Sequence, residues 1–275
     1  MPNDDHDQSG KYSFNHIYTR SDPRSFFTTL REFDYGIPGV ARPHFARLAA
    51  QYREESQVTV PRILDLGCSY GVNAALLRCD TTLAELYQRY TDVAIGRSHA
   101  DLVASDQAFV RSRQRPEQAR FVGLDTSRPA LDYAIEAGFL DEAIEADLEV
   151  GEPTEPQRAA LAGTDLVIST GCIGYITEKT LLRVVEAAGD RRPWMAHFCL
   201  RMFPFDAIAG YLDDLGYETV RGDQPYRQRR FATSQERASV LDRLAELGIA
   251  SRGLEADGWF YAQLHISRPR DRKRD

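Results

Sequence analysis

The stretch Ile63-Leu64-Asp65-Leu66-Gly67-Cys68-Ser69-Tyr70-Gly71-Val72-Asn73 decides the fold. It opens as the short apolar run Arg62 to Leu66, the signature of a strand buried in a sheet. It then turns through Gly67 and Gly71 into a helix that starts near Val72. Glycines let such a turn approach a ligand closely, and the helix start offers free N–H groups and partial positive charge. A dinucleotide fingerprint would read G-x-G-x-x-G around a pyrophosphate. Here the spacing is Gly67-x-x-x-Gly71, with Asp65 two residues ahead. A carboxylate there repels a pyrophosphate and can accept a hydrogen bond from an ammonium group.

Working outward, further strands are expected at Arg120 to Asp125, Ala143 to Asp147, Asp165 to Ser169, Pro193 to Leu200 and Trp259 to Ser267, with a short run at Tyr217 to Val220. Between the later ones lie helices with legible ends. Thr154 to Gln157 and Thr233 to Glu236 read as capping boxes, and Gly189 and Gly248 read as stops. Strands alternating with helices at this spacing mean a parallel, doubly wound sheet. Two stretches break the alternation and are expected as helical insertions, about 80–118 and about 221–256. In the first, Leu83, Leu86, Tyr87 and Tyr90 form a stripe. Ahead of the sheet, residues 11–57 carry two helix-like runs. Phe26, Phe27, Leu30 and Phe33 follow the start signal Ser21-Asp22-Pro23, and the turn Gly36 to Gly39 separates them from a helix beginning near Arg42. This aromatic segment is expected to form a lid, with residues 1–10 as a disordered tail and 58–267 as the main domain.

Composition bounds the function. The 275 residues hold 34 basic against 41 acidic side chains, a net of −7, which argues against a general nucleic-acid binder. The basic tail 268–275 is a local exception, read as a solvated terminus. No apolar run reaches the length of a membrane span, and the acidic opening residues are unlike a signal peptide, so a cytoplasmic location is expected. Cys68, Cys79, Cys172 and Cys199 show no metal-ligand spacing and read as reduced, buried thiols; no metal is expected.

The combination at Asp65, Gly67 and Gly71 resembles motif I of the class I S-adenosylmethionine-dependent methyltransferases, D/E-x-G-x-G-x-G at the end of the first strand. Ser69 stands where the middle glycine usually lies. The resemblance extends in order along the chain, from about Val60 to Ser267. It implies a seven-stranded Rossmann-like sheet whose last strand is antiparallel, and S-adenosylmethionine as cofactor. It also implies a cofactor site built from Asp65, Gly67, Cys68, Ser69, Gly71 and Asn73 in the first turn. Asp125 ends the second strand and Thr126 follows it, with the ribose, Asp147 and Leu148 come at the end of the third with the adenine, and Thr170 follows the fourth.

The reaction implied is transfer of methyl from a sulfonium to a nucleophile, which demands alignment in a site closed to water. Thr170, Cys172 and Tyr175 follow the fourth strand and include no obvious base. His197 lies inside the fifth strand and reads as a core residue. A carboxylate needs no base but does need cationic orientation, for which arginine is suited. Arg201, directly after the fifth strand, and Tyr226 and Arg230 of the run YRQRR are therefore expected at the acceptor, with Tyr12 and Tyr18 of the lid. The expectation is a small-molecule methyltransferase, favouring a carboxylate or other polar oxygen, with no nucleic-acid or membrane partner. The alternatives are methylation of nitrogen or carbon, and a non-catalytic binding module of the same fold.

Overall fold

The computed structural model describes residues 11–116 and 119–270; the expected tail 1–10 and most of the basic tail lie outside them. The chain begins with α1 (Asn15–Tyr18), α2 (Arg24–Glu32) and α3 (Ile37–Ser56), followed by β1 (Arg62–Leu66) and α4 (Val72–Arg78). The first insertion is α5 (Leu83–Gln88), a π-helical turn Arg89–Val93 and α6 (His99–Arg113). Then come β2 (Arg120–Asp125), α7 (Arg128–Glu136), β3 (Glu142–Glu145), α8 (Glu155–Leu161), β4 (Leu166–Thr170), α9 (Glu178–Ala188) and β5 (Trp194–Leu200). The chain closes with α10 (Asp206–Asp214), β6 (Tyr217–Arg230), α11 (Ser234–Glu246) and β7 (Trp259–Pro269).

The strands form one seven-stranded sheet, β3-β2-β1-β4-β5-β7-β6. The first five are mutually parallel, and β7 runs antiparallel to both β5 and β6. This is the expected doubly wound sheet with its last strand reversed. Alternation divides its faces. Ile63, Phe121, Ile168 and Phe198 meet Phe45, Leu48 and Tyr52 of α3. Leu64, Val122, Val167 and Met195 meet Leu161, Leu181, Val184 and Ile208 of α8, α9 and α10. A third, aromatic cluster joins α1, α2, α5 and α6 to α7; in it Phe27 stacks on Tyr90 with centroids 4.5 Å apart. Asp106 is buried at its centre, paired with Arg89 Nε at 2.5 Å and accepting the hydroxyl of Tyr90 at 2.7 Å. No helix of the described residues is long and apolar enough to cross a membrane.

Three boundaries differ from expectation. The helix expected from Arg42 starts at Ile37, because Pro38 occupies its first turn, where the missing N–H is unneeded. Residues 11–57 accordingly divide: α3 covers a face of the sheet and reaches the cavity at the carboxyl edge only with Pro38 of its first turn, while the chain ahead of it supplies the rest of that cover. The second insertion is not wholly helical either. Strand β6 continues through Gly222 and Pro225 to Arg230, absorbing them in an irregularity between Arg221 and Pro225, with a second between Arg227 and Arg229. An edge strand tolerates a proline at such a bulge, and its charges keep the edge from pairing with other chains.

Candidate active site

The parallel strands end at one cavity of about 530 Å³, walled by the turn after β1, the ends of β2 and β4, the segment Lys11–Thr19, and the end of β6. The β1–α4 turn carries three left-handed residues, Gly67 (φ 63°), Ser69 (φ 49°) and Gly71 (φ 72°). A side chain at Gly67 would set its Cβ 2.7 Å from the Cβ of Cys172, so glycine is what lets the β4 loop close on the β1 turn. Ser69 holds the same kind of conformation with a side chain, a strain of about 1–3 kcal/mol. It is offset by the Ser69 backbone N–H, which donates to Asp125 Oδ2 at 2.8 Å. Asp125 Oδ1 accepts the Ser127 N–H at 2.9 Å, so one carboxylate ties the two loops together.

Asp65 lies one layer beneath the wall, with no solvent exposure. Asn73 Nδ2 donates to its Oδ1 at 3.0 Å and to Thr170 Oγ1 at 3.1 Å. Burial, more than the hydrogen bond from Asn73 offsets, pushes the Asp65 carboxyl up to about 7, and the nearby charge of Asp125 adds to this. Four buried atoms at or just behind this wall have no hydrogen-bond partner: Asp65 Oδ2, Ser69 Oγ, Asn73 Oδ1 and Gln228 Oε1. Each can accept a hydrogen bond.

Of the sequence-expected residues, Gly67, Cys68, Ser69, Asn73, Asp125, Thr126, Thr170, Cys172 and Tyr175 line this cavity, as do Tyr12 and Tyr18. Gly71 sits behind it as the N-cap of α4. Asp65 lies beneath the wall, and five others lie away from the cavity. Asp147 is exposed and caps its own turn, accepting the Glu149 N–H at 3.0 Å, while Leu148 is buried in the core below. Arg201 turns away to pair with the buried Glu255 at 2.6 Å and to donate to the Ala250 carbonyl. Arg230 pairs with Asp34 at 2.5 Å, and Tyr226 packs its ring on His44 and Phe198. Arg201, Arg230 and Tyr226 are claimed by partners distant in sequence, which spacing cannot show.

The sequence reading missed Tyr35 and Gln228, and of the arginines it saw in the run YRQRR it placed Arg230 at the acceptor where the structure turns Arg229 inward. The bulge between Arg227 and Arg229 breaks the alternation of β6, so the consecutive Gln228 and Arg229 both turn inward. Arg229 is clamped by both oxygens of Glu236, at 3.0 and 2.7 Å. Glu236 also accepts the Tyr12 N–H at 2.8 Å, so it does not complete the expected capping box but draws the N-terminal segment onto α11. That segment is held from below as well. The Tyr70 hydroxyl donates to the carbonyls of Ile17 and Arg20, and the Ser127 hydroxyl to that of Tyr18.

Burial sets the acid–base state of the wall. It pushes the Cys172 thiol and the Tyr18 phenol up to about 12, and Cys68 and Tyr35 well above their ordinary values. At neutral pH all four stay protonated. His197 is a core residue: buried, 2.8 Å from Ser169 Oγ, and pushed down to about 3 by burial. Among the described residues no cluster of three His, Cys, Asp or Glu could hold a metal ion.

No protein-family model matches the chain, and no curated protein matches it. Among solved structures it is similar to the plantazolicin methyltransferase BpumL in complex with a monoazolic desmethylPZN analog and SAH, at 12% identity and TM-score 0.45 over 85% of each chain. It is also similar to magnesium protoporphyrin IX methyltransferase from Synechocystis with bound SAM, at 12% identity and TM-score 0.39 over 82% of this chain and 79% of that one. A third is a TehB-like SAM-dependent methyltransferase from Corynebacterium glutamicum, at 14% identity and TM-score 0.38 over 80% and 86%. Likeness this weak assigns no function, so the reading of the site rests on its own residues.

Proposed function

We propose that the chain is an S-adenosylmethionine-dependent methyltransferase of a small molecule, acting on an oxygen that arrives already ionised, a carboxylate being the simplest case. The observation that carries the first part is the set of acceptor atoms without donors, Asp65 Oδ2, Asn73 Oδ1 and Gln228 Oε1, around one cavity beside Asp125. Leaving buried acceptors unpaired costs about 1–3 kcal/mol each, so the wall calls for a ligand rich in donors. An amino acid joined to a ribose has such donors. Its ammonium suits Asn73 and Asp65 behind it, and its ribose hydroxyls suit Asp125. When bound, the cofactor supplies an electrophilic methyl group on a sulfonium.

The chain's own part is to orient and to exclude water. Thr170 and Cys172, at the end of β4, border the space where the methyl would meet the acceptor. Tyr12, Phe14, Tyr18, Tyr35 and Tyr175 give that space aromatic walls and a cover. Burial holds the phenols of Tyr18 and Tyr35 and the thiol of Cys172 protonated, so none of these three is poised to take a proton. An acceptor with no proton to lose meets that condition. Arg201 and Arg230 no longer support the reading; the cations in the wall are Arg229 and Lys11, whose ammonium lies 4.3 Å from the Tyr175 ring centroid. Thermal unfolding with S-adenosylmethionine, S-adenosylhomocysteine (SAH) or NAD tests the cofactor. The first two are expected to raise Tm and NAD to leave it unchanged; the reverse pattern would overturn the reading.

A further inference from the structure

One amide in the wall of the cavity is left over once the cofactor's donors are assigned. The ammonium of S-adenosylmethionine suits Asp65 and Asn73, and its ribose suits Asp125, all at the β1–α4 turn or tied to it. Gln228 stands elsewhere, near the end of β6, where the irregularity between Arg227 and Arg229 turns it inward. It is only 5% exposed, and its Oε1 has no hydrogen-bond partner.

The amide rests against the loop after β4. Gly171, between Thr170 and Cys172, is left-handed at φ 76°, and a Cβ on it would come 3.0 Å from Gln228 Nε2. Glycine there leaves room for the amide at the end of the cavity where Thr170 and Cys172 border the methyl-transfer space. The backbone holds Gln228 in place. The Gly36 N–H donates to the Gln228 carbonyl at 2.8 Å, and the Arg230 N–H donates to the Phe33 carbonyl at 2.7 Å, stitching the end of β6 to the turn before α3. Two rings come with that stitching. Tyr35 is hydrogen-bonded to Thr170, and Phe14 lies under the Arg229 guanidinium at 5.1 Å; both rings line the cavity. Aromatic walls favour a flat ring, through offset and edge contacts.

We propose that Gln228 selects the acceptor, and that the acceptor is a small aromatic carboxylate whose ring carries an N–H or O–H donor. The carboxylate rests on the methyltransferase reading given above; the ring and its donor rest on Tyr35, Phe14 and Gln228. The ring donor would meet Gln228 Oε1, which stays unpaired when the acceptor lacks one. A buried acceptor atom without a partner costs about 1–3 kcal/mol, enough to separate two acids that differ only in that donor.

Calorimetric titration into the full chain saturated with SAH tests this. The probes are the three aminobenzoates and the three hydroxybenzoates, with benzoate as the acid lacking a donor and cyclohexanecarboxylate as the acid lacking a flat ring. At least one substituted isomer is expected to bind about tenfold more tightly than benzoate, and benzoate more tightly than cyclohexanecarboxylate. In Gln228→Met, or in Gln228→Leu should that variant fail to fold, the advantage of that isomer over benzoate is expected to shrink to about twofold or less. The ratio reads recognition of the donor, because a general disturbance of the cavity weakens both acids. Three outcomes overturn the proposal: no isomer gains on benzoate, cyclohexanecarboxylate binds as tightly as benzoate, or the variant keeps the full advantage. Failure of SAH to bind the parent would overturn the methyltransferase reading and this proposal with it, whereas SAH binding without selectivity overturns the proposal alone.

Discussion

Replacing Asp65 by asparagine should stabilise the ligand-free protein at high pH while damaging the cofactor site. Asp65 is fully buried with one oxygen unpartnered, and its carboxyl is pushed up to about 7 from an ordinary 3.8, by burial first. A carboxyl raised on folding contributes stability that is complete below pH 4 and is lost as pH rises through 7. At about 1.4 kcal/mol per pH unit, a rise of some three units costs the ligand-free protein about 4 kcal/mol above pH 8. Asparagine removes that cost and keeps an oxygen for Asn73 Nδ2, but its own amide N–H groups need partners, at about 1–3 kcal/mol. The net expectation for Asp65→Asn is a gain of about 1–3 kcal/mol at pH 8 and a small loss at pH 5. Urea unfolding of both proteins at pH 5.0, 6.5 and 8.0 reads the difference directly. It should move towards the variant by about 2.5 kcal/mol across the series. A difference that stays constant with pH would refute the reasoning, because Asp65 would then titrate alike in the folded and unfolded chains.

Under the proposed function the same carboxyl should set the pH dependence of cofactor binding. An ammonium beside Asp65 favours its ionised form, so SAH affinity should fall below pH 7, by about tenfold at pH 6 relative to pH 8, and calorimetry on Asp65→Asn should show a flat profile. Gly67→Ala combines a left-handed backbone with a Cβ set 2.7 Å from Cys172. It should lower stability by about 2–4 kcal/mol and abolish the thermal shift with SAH. Arg229→Met strands Glu236, buried with no exposure. The single variant should lose about 3–5 kcal/mol in urea unfolding, and the double variant with Glu236→Leu much less. Arg201→Ala and Arg230→Ala, both outside the cavity, should leave SAH affinity within about twofold of the parent; a larger loss in either would put that residue back at the site.

The sheet was legible because its signals are local. An apolar run ending in Asp65-Leu66-Gly67 could only be a buried strand entering a tight turn, and the order of strands and helices then determined a parallel sheet. The side of the cavity around the β1–α4 turn was legible for the same reason, since Gly67, Ser69 and Asn73 are close in sequence and Asp125 and Thr170 end the two strands that flank β1. The side closed by β6 was not. Which arginines face inward depends on a bulge in β6, and Gly222 and Pro225 look like a loop until β7 pairs across them. Charge partners were equally hidden: Glu255 claims Arg201 and Asp34 claims Arg230 across 54 and 196 residues of chain. Tyr35 follows a helix as an ordinary aromatic, and only the closure of the N-terminal segment over β4 makes it part of a wall.

The central claim is that Asp125 and the turn from Gly67 to Asn73 form an S-adenosylmethionine site. Calorimetric titration of SAH into the parent chain and into Asp125→Ala tests it most directly. One molecule of SAH should bind per chain, and the variant should bind at least about tenfold more weakly while keeping its fold. Absence of SAH binding to the parent, or equal binding by both proteins, would contradict the account.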